Sequence, residues 1–193
     1  MLQFIEGCHV DAEDRALVEA FRRGEDSAFS ALVIKYRDGV YRVARRMLGS
    51  HEDAADVTQE VFVRAHRALS RFDGRSQLYT WLYRITVNLC LDLRNRLAKM
   101  PLVVGGEAIR DHPTSATIED VAEDRETGRM VARAVAALPP RQRAMVVLRL
   151  YQDLPYQDIA RIMGCSEGTV KATMFAALRR LRRTLAQEGV EAP

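Results

Sequence analysis

Three observations along the 193 residues predict an all-α fold. Apolar residues recur every three or four positions in each patterned stretch, and no stretch shows the strict alternation of a half-buried strand. Ser and Asp stand ahead of these stretches, with Gly or Pro behind them, as helix starts and stops require. Hydrophobic residues make up 48% of the chain, which is ample for a packed core.

Residues 1–10 carry no clear period. Asp11 or Asp14 can cap a first helix, with Leu17, Ala20 and Phe21 as its apolar edge and Gly24 as its stop. Ser27 opens a longer one. In it Phe29, Leu32, Val33, Tyr36, Val40, Val43, Ala44, Met47 and Leu48 keep helical spacing as far as Gly49, with Asp38-Gly39 a weak point. Ser50, followed by Asp53, gives a capping-box signal for a third helix whose Ala54, Val57, Val61, Ala65 and Leu69 face inward. Its Asp53, Asp56, Gln59 and Glu60 form a polar, mostly acidic patch near the start. Negative charge there also favours the helix dipole, so composition alone makes the patch solvated surface.

Phe72-Asp73-Gly74-Arg75 reads as a turn, and Ser76 caps a fourth helix running to about Ala98 with Leu78, Leu82, Ile85, Leu89 and Leu93 inward. Its other sides mix Tyr79, Thr80, Trp81, Tyr83, Arg84, Asn88, Arg94, Asn95 and Arg96. Rings can stack on unpaired bases, amides read base edges and cations hold phosphates, so the mixture suits single-stranded or melting DNA. The competing reading makes Trp81 and Tyr83 half-buried core rings.

From Met100 to about Glu123 the period breaks over Pro101, Gly105-Gly106, Pro113 and the Thr114–Thr117 cluster, which predicts a flexible linker. Two small helical domains result, 1–98 and 128–193, joined by residues 99–127. A helix from about Ile118 to Leu138 precedes Pro139-Pro140, and another from Arg141 to about Tyr151 buries Met145, Val147 and Leu148.

The last stretch reads as a helix-turn-helix. Pro155 suits a helix start, and Ile159, Ala160 and Met163 give the short helix one apolar side. Gly164 supplies the left-handed turn and Cys165 fits inside the corner. Ser166 then caps a longer helix with Val170, Met174, Ala177, Leu178, Leu181 and Leu185 as its buried stripe. The opposite stripe carries Lys171, Phe175 and Arg179, followed by Arg180, Arg182 and Arg183. A charge run alone is usually a solvated face. Combined with a short helix, a Gly turn and an N-cap, it points to DNA. The charge distribution agrees, because residues 135–193 hold nine basic against five acidic groups while residues 98–134 are net acidic.

Other classes find little support. Cys8, Cys90 and Cys165 are far apart with no CxxC pair, so free thiols in a reducing compartment are expected, and Cys8-His9 lacks partners for a metal site. No apolar run approaches the roughly 20 residues a membrane span needs, and the leader is acidic, so a cytoplasmic protein is expected. His9, His51, His66 and His112 form no HExxH, and no Gly-rich phosphate loop is present. Neither an enzyme nor a cofactor is expected.

Taken together the motifs resemble the extracytoplasmic-function sigma factors, the smallest members of the sigma-70 class of bacterial RNA polymerase subunits. Asp56-Val57-Thr58-Gln59-Glu60-Val61-Phe62 is similar to the family's core-binding segment. Phe72, Gly74 and Ser76 with Tyr79-Thr80-Trp81-Leu82-Tyr83-Arg84-Ile85 and Asn88 resemble its melting and minus-ten segment. Leu138-Pro139-Pro140-Arg141-Gln142-Arg143, Leu154-Pro155-Tyr156 with Ile159-Ala160, and Gly168-Thr169-Val170-Lys171 resemble its minus-thirty-five domain.

The resemblance implies a non-enzymatic promoter-specificity subunit whose partners are core polymerase, through the β′ clamp helices and the β flap, and promoter DNA. Asp53, Asp56, Gln59 and Glu60 would bind core. Phe72, Ser76, Trp81, Tyr83, Arg84 and Asn88 would meet minus-ten DNA, with a flipped base held near Phe72, Ser76 and Asn88. Ser166, Thr169, Lys171, Ala172, Phe175 and Arg179 would meet minus-thirty-five DNA. The linker would run through the polymerase. Many relatives continue the recognition helix with Ser and several arginines, whereas Ala172, Thr173, Met174, Ala176 and Leu178 follow here, so reading by phosphate contacts, thymine methyls and DNA shape is expected. An anti-sigma factor is implied as a further partner. The alternative is a stand-alone helix-turn-helix regulator, although residues 1–97 show neither a ligand-like architecture nor dimerising heptads.

Overall fold

The computed structural model describes residues 11–99 and 125–187. Within them the regular structure is helical: α1 Ala12–Arg22, α2 Asp26–Leu48, α3 His51–Ala68, α4 Leu78–Lys99, α5 Arg125–Ala136, α6 Pro140–Leu150, α7 Tyr156–Met163 and α8 Glu167–Gln187, with one 3₁₀ turn at Leu69–Arg71. The lead-in with Cys8 and His9, most of the expected linker, and the start of the helix expected from Ile118 lie outside the described residues.

The first half is built on α2, which packs against α1, α3 and α4. Its stripe of Leu32, Val40, Val43, Ala44 and Met47 is buried, and Gly49 ends it in the left-handed conformation at φ 81°. The helix runs unbroken through Asp38-Gly39. It opens at Asp26 with Glu25 in the cap position, one residue ahead of the expected Ser27. Ser50 caps α3 as expected, its Oγ accepting from the Asp53 N–H at 3.2 Å.

Helix α1 is clipped to α2 by charge. Asp14 is 1% exposed and does not cap the helix; its carboxylate accepts from Lys35 Nζ at 2.8 Å and Tyr36 Oη at 2.5 Å. Glu13 and Asp11 also receive Lys35, at 2.6 and 3.2 Å. Burial opposes the lysine's charge, but the three carboxylates outweigh it and raise its pKa. Asp11 occupies the cap position without a side-chain bond, and its N–H donates to Gln77 Oε1 at 3.1 Å.

Helix α4 begins at Leu78, and Gln77 rather than Ser76 occupies its capping position, the Trp81 N–H donating to the Gln77 carbonyl at 3.2 Å. Burial on α4 is much wider than a single stripe. Thr80, Tyr83, Thr86, Val87 and Cys90 are buried alongside Leu78, Leu82 and Leu89, while Ile85 and Leu93 are only half-buried. Thr86 satisfies its hydroxyl on the Leu82 carbonyl at 2.9 Å. Burial pushes the Cys90 thiol up to about 12, so that thiol is inert.

In the second half α6, α7 and α8 pack on one another with α5 against α8. Met145, Val147 and Leu148 are buried as expected. Gly164 turns the chain at φ 63°, and Ser166 Oγ accepts from the Thr169 N–H at 3.1 Å to start α8. Val170, Met174, Ala177 and Leu181 are buried, but Leu178 is 39% exposed. At 100° per residue Leu178 lies about 80° round from Val170, whereas Ala177 and Leu181 lie about 20° from it. Leu178 therefore falls off the edge of the stripe.

The two halves lie against each other, α4 on α7 and α2 on α6, and their buried side chains form one cluster. Fully burying a side chain such as Met47 or Ile159, both 0% exposed, stabilises by roughly 1.5–3 kcal/mol.

Candidate nucleic-acid interface

Three surfaces carry the residues singled out by sequence. The first is the start of α3. Gln59 and Glu60 lie three and four residues beyond Asp56, which itself lies three beyond Asp53, so the four share one side of the helix; Asp56 and Gln59 are exposed, Asp53 and Glu60 half-buried. Glu60 Oε1 accepts from Arg64 Nε at 2.7 Å, which leaves Asp56 as the more open carboxylate. Gln59 also lines an apolar groove of about 760 Å³ between α2 and α3, walled by Phe29, Val33, Tyr41, Phe62 and Val63. The groove is not legible in the sequence, because Phe29 and Val33 keep the helical period of the α2 stripe and so read as core, while Tyr41 lies outside that stripe.

The second surface is α4 and the turn before it. Phe72 is 6% exposed, its ring centroid 5.4 Å from that of Trp81. Trp81, Arg84 and Asn88 follow at three- and four-residue spacing, Trp81 half-buried and the other two exposed, and Ser76 sits half-buried in the turn. Tyr83 is separated from this group. It stands one turn from Tyr79, with ring centroids 6.3 Å apart, and both phenols point at the second half of the chain. Tyr79 Oη donates to Asp158 Oδ2 at 2.6 Å and Tyr83 Oη to Gln152 Oε1 at 2.8 Å. Burial raises the Tyr83 pKa and keeps it a donor. Arg84 Nε donates to the Arg161 carbonyl at 3.1 Å. Asp158 and Gln152 were not legible as partners, because nothing in their local sequence distinguishes them from surface polar residues.

The third surface is the outer side of α8. Ser166, Thr169, Lys171, Ala172, Phe175 and Arg179 are all exposed, Phe175 by 70%. Lys171 Nζ lies 2.8 Å from Glu167 Oε1, so part of its charge is answered within the chain. An aromatic ring held in water between two cations, on a helix whose other side is buried, is chemically suited to a polyanion with apolar edges.

Residues 32–100 match the model of sigma-70 region 2 and residues 128–181 that of sigma-70 region 4. The chain is 33% identical over 186 residues to the RNA polymerase sigma-H factor of Pseudomonas aeruginosa, covering 90% of this chain and 94% of the relative. It is 34% identical over 172 residues to the ECF RNA polymerase sigma-E factor of Escherichia coli K12, covering 85% and 90%. In fold it is similar to CnrH, solved in complex with the cytosolic domain of CnrY, with a TM-score of 0.66, 24% identity and coverage of 91% and 98%. It is also similar to the sigma factor RpoE of Bartonella quintana, solved in complex with the anti-sigma factor NepR, with a TM-score of 0.64, 24% identity and coverage of 82% and 96%. No helix among the described residues is long and apolar enough to cross a membrane. With sigma-70 regions 2 and 4 matched in order and curated sigma factors 33% and 34% identical over most of its length, this protein belongs to the extracytoplasmic-function sigma factors, transcription initiation subunits that are not themselves enzymes.

Proposed function

We propose that residues 1–98 bind core polymerase and open the minus-ten region, residues 128–193 read the minus-thirty-five element and meet the β flap, and residues 99–127 join them. On α3, Asp53, Asp56, Gln59 and Glu60 take the β′ clamp helices, and the groove beside Gln59 offers that partner an apolar seat next to its charges. On α4, Trp81, Arg84 and Asn88 lie toward the opened strand, with Phe72 and Ser76 bordering a flipped base. Flipping costs a few kcal/mol, which contacts in a preformed corner recover. Tyr83 joins them once α7 has moved away.

On α8, Lys171 and Arg179 neutralise phosphates while Phe175 and Ala172 meet thymine methyls; Ser166 and Thr169 hold the helix start against the backbone. Because CnrH and the Bartonella RpoE are each solved with a protein partner, and that of RpoE is an anti-sigma factor, we assign this chain an anti-sigma partner as well. It works in the cytoplasm, where the polymerase is. The observation that carries the reading is the open cationic and aromatic side of α8 on a capped helix after a Gly turn.

The test is abortive initiation by core polymerase on a library of randomised promoters, with and without this chain. Initiation should depend on the chain and fall at least about tenfold with Asp56→Ala/Glu60→Ala, which removes charge at the contact and leaves the α3 core intact. Tight duplex binding with no polymerase-dependent initiation would make the protein a stand-alone regulator.

A further inference from the structure

The turn that leads into α4 is gripped by a side chain from far upstream. Arg22, the last residue of α1, lays one edge of its guanidinium on the main chain there: Nε donates to the Ser70 carbonyl at 3.2 Å and Nη2 to the Phe72 carbonyl at 2.5 Å. The remaining nitrogen, Nη1, donates to Glu19 Oε1 at 2.6 Å, so each of the three has an acceptor. The start of α1 reaches the other end of the same turn, where the Asp11 N–H meets Gln77 Oε1. Neighbouring Phe21 anchors the end of α1 without help from Arg22, its ring centroid 5.7 Å from that of Phe29 and 5.1 Å from that of His66.

We propose that Arg22 is a positioning residue for strand opening, holding the corner of Phe72 and Ser76 in the shape that receives a flipped base. This rests on the role proposed above for that corner and adds to it a residue from outside the turn and outside α4.

Phe72 is where the chain leaves the 3₁₀ turn, its backbone extended at φ −63° and ψ 116°. Two residues on, Gly74 takes a left-handed φ of 71°, and the Arg75 N–H closes on Asp73 Oδ1 at 3.1 Å. Irregular backbone of this kind has no helical ladder to hold it. Two charge-assisted bonds to carbonyls two residues apart fix where the Phe72 peptide points, and with it the ring that meets Trp81. Base flipping is unfavourable by itself, and a corner already in shape recovers more of that cost than one that must be ordered on contact. Charge alone does not supply this. A lysine ammonium is a point charge without the planar fork, so it cannot hold both carbonyls along one edge.

The experiment uses the full chain with core polymerase and a promoter recovered from the randomised library, offered as a closed duplex and with its minus-ten stretch already unpaired. Arg22→Ala should initiate about tenfold less on the closed duplex, as expected if the ready corner falls to about a tenth of the population, and within about threefold of wild type on the unpaired template. Arg22→Lys should behave like Arg22→Ala. Lys35→Met loosens α1 elsewhere and leaves both carbonyls held, so it should initiate like the wild type on both templates. Trp81 is the single tryptophan, and its emission reads the corner without polymerase. It should move to the red in both Arg22 variants and stay in place in Lys35→Met. Fluorescence anisotropy on a random single strand should show the same salt dependence for Arg22→Ala and wild type, because the guanidinium faces carbonyls; a slope in log salt lower by about 1 would make it a phosphate contact instead. That lower slope, equal losses on the two templates, or recovery with Arg22→Lys overturns the positioning. A wild-type chain without core-dependent initiation strikes the promoter role and the positioning with it, whereas wild-type initiation that Arg22→Ala matches on the closed duplex strikes the positioning alone.

Discussion

Helices α4 and α8 carry similar chemistry, aromatic rings among arginines and lysines at helical spacing, yet they stand in opposite positions. Helix α4 packs on α2, α3, α6 and α7 and is buried on most of its circumference. Helix α8 packs on α5, α6 and α7 along one stripe and leaves its other side to solvent. Residue types decide what a face is able to touch. Packing decides what is left for it to touch, and here α6 and α7 pack on α4 while the outer side of α8 stays in solvent.

The comparison breaks most severely at Ile159. That side chain is 0% exposed beneath the helix-turn-helix, and Ile159→Asp buries an unpaired charge at a cost above about 4 kcal/mol. Hydrogen exchange should lose protection through α6–α8 and keep it in α2 and α3, leaving α4 without its cover. Lys35→Met provides a control remote from both reading helices. It leaves Asp14 short of its cation and should lower thermal stability by about 1–2 kcal/mol without changing DNA binding. Because the folded lysine holds its proton above the ordinary value of 10.5, its contribution is complete below that pH and is lost as pH climbs beyond it. The wild-type advantage over Lys35→Met should therefore stay level from neutral pH to about 10 and close only above 10.5.

On the open side, Lys171→Ala/Arg179→Ala should weaken duplex binding roughly tenfold and flatten its dependence on log salt by about 2, with single-strand binding unchanged. Equal losses on both probes would show that the two faces are not separate. The smallest effect is at Phe175. Being 70% exposed, it contributes nothing measurable to stability, and Phe175→Ala should cost about 1 kcal/mol or less of preference for thymine-bearing sites in a competition assay.

Much of this layout was legible from residue order. The stripes of α2 and α3, the Ser50 and Ser166 caps and the left-handed Gly49 and Gly164 each follow from a local rule, and local rules do not depend on what packs where. Asp11 and Asp14 both read as candidate caps because an acid near a helix start usually is one; Asp11 holds the cap position, whereas the partners of Asp14, Lys35 and Tyr36, are 21 and 22 residues away. Leu178 read as core because spacing alone cannot fix the width of a stripe. Thr80 and Tyr83 stand by period away from the leucine stripe, with a half-buried core ring as the competing reading of Tyr83; both are buried, and Tyr83 reaches Gln152 in the second half. Periodicity reports that a face is covered without saying by what. The groove beside Gln59 escaped for the converse reason: its walls look like core residues but lack a neighbour.

The bond from Tyr79 to Asp158 spans 79 residues of chain. At translation rates of about 5–20 residues per second, Tyr79 is made roughly 4–16 s before Asp158 exists. During synthesis, then, α4 has no α7 to pack on, and the youngest form of the protein is the one in which the Tyr79–Tyr83 side of α4 is most open. A nascent chain stalled before α7 would keep that face permanently available.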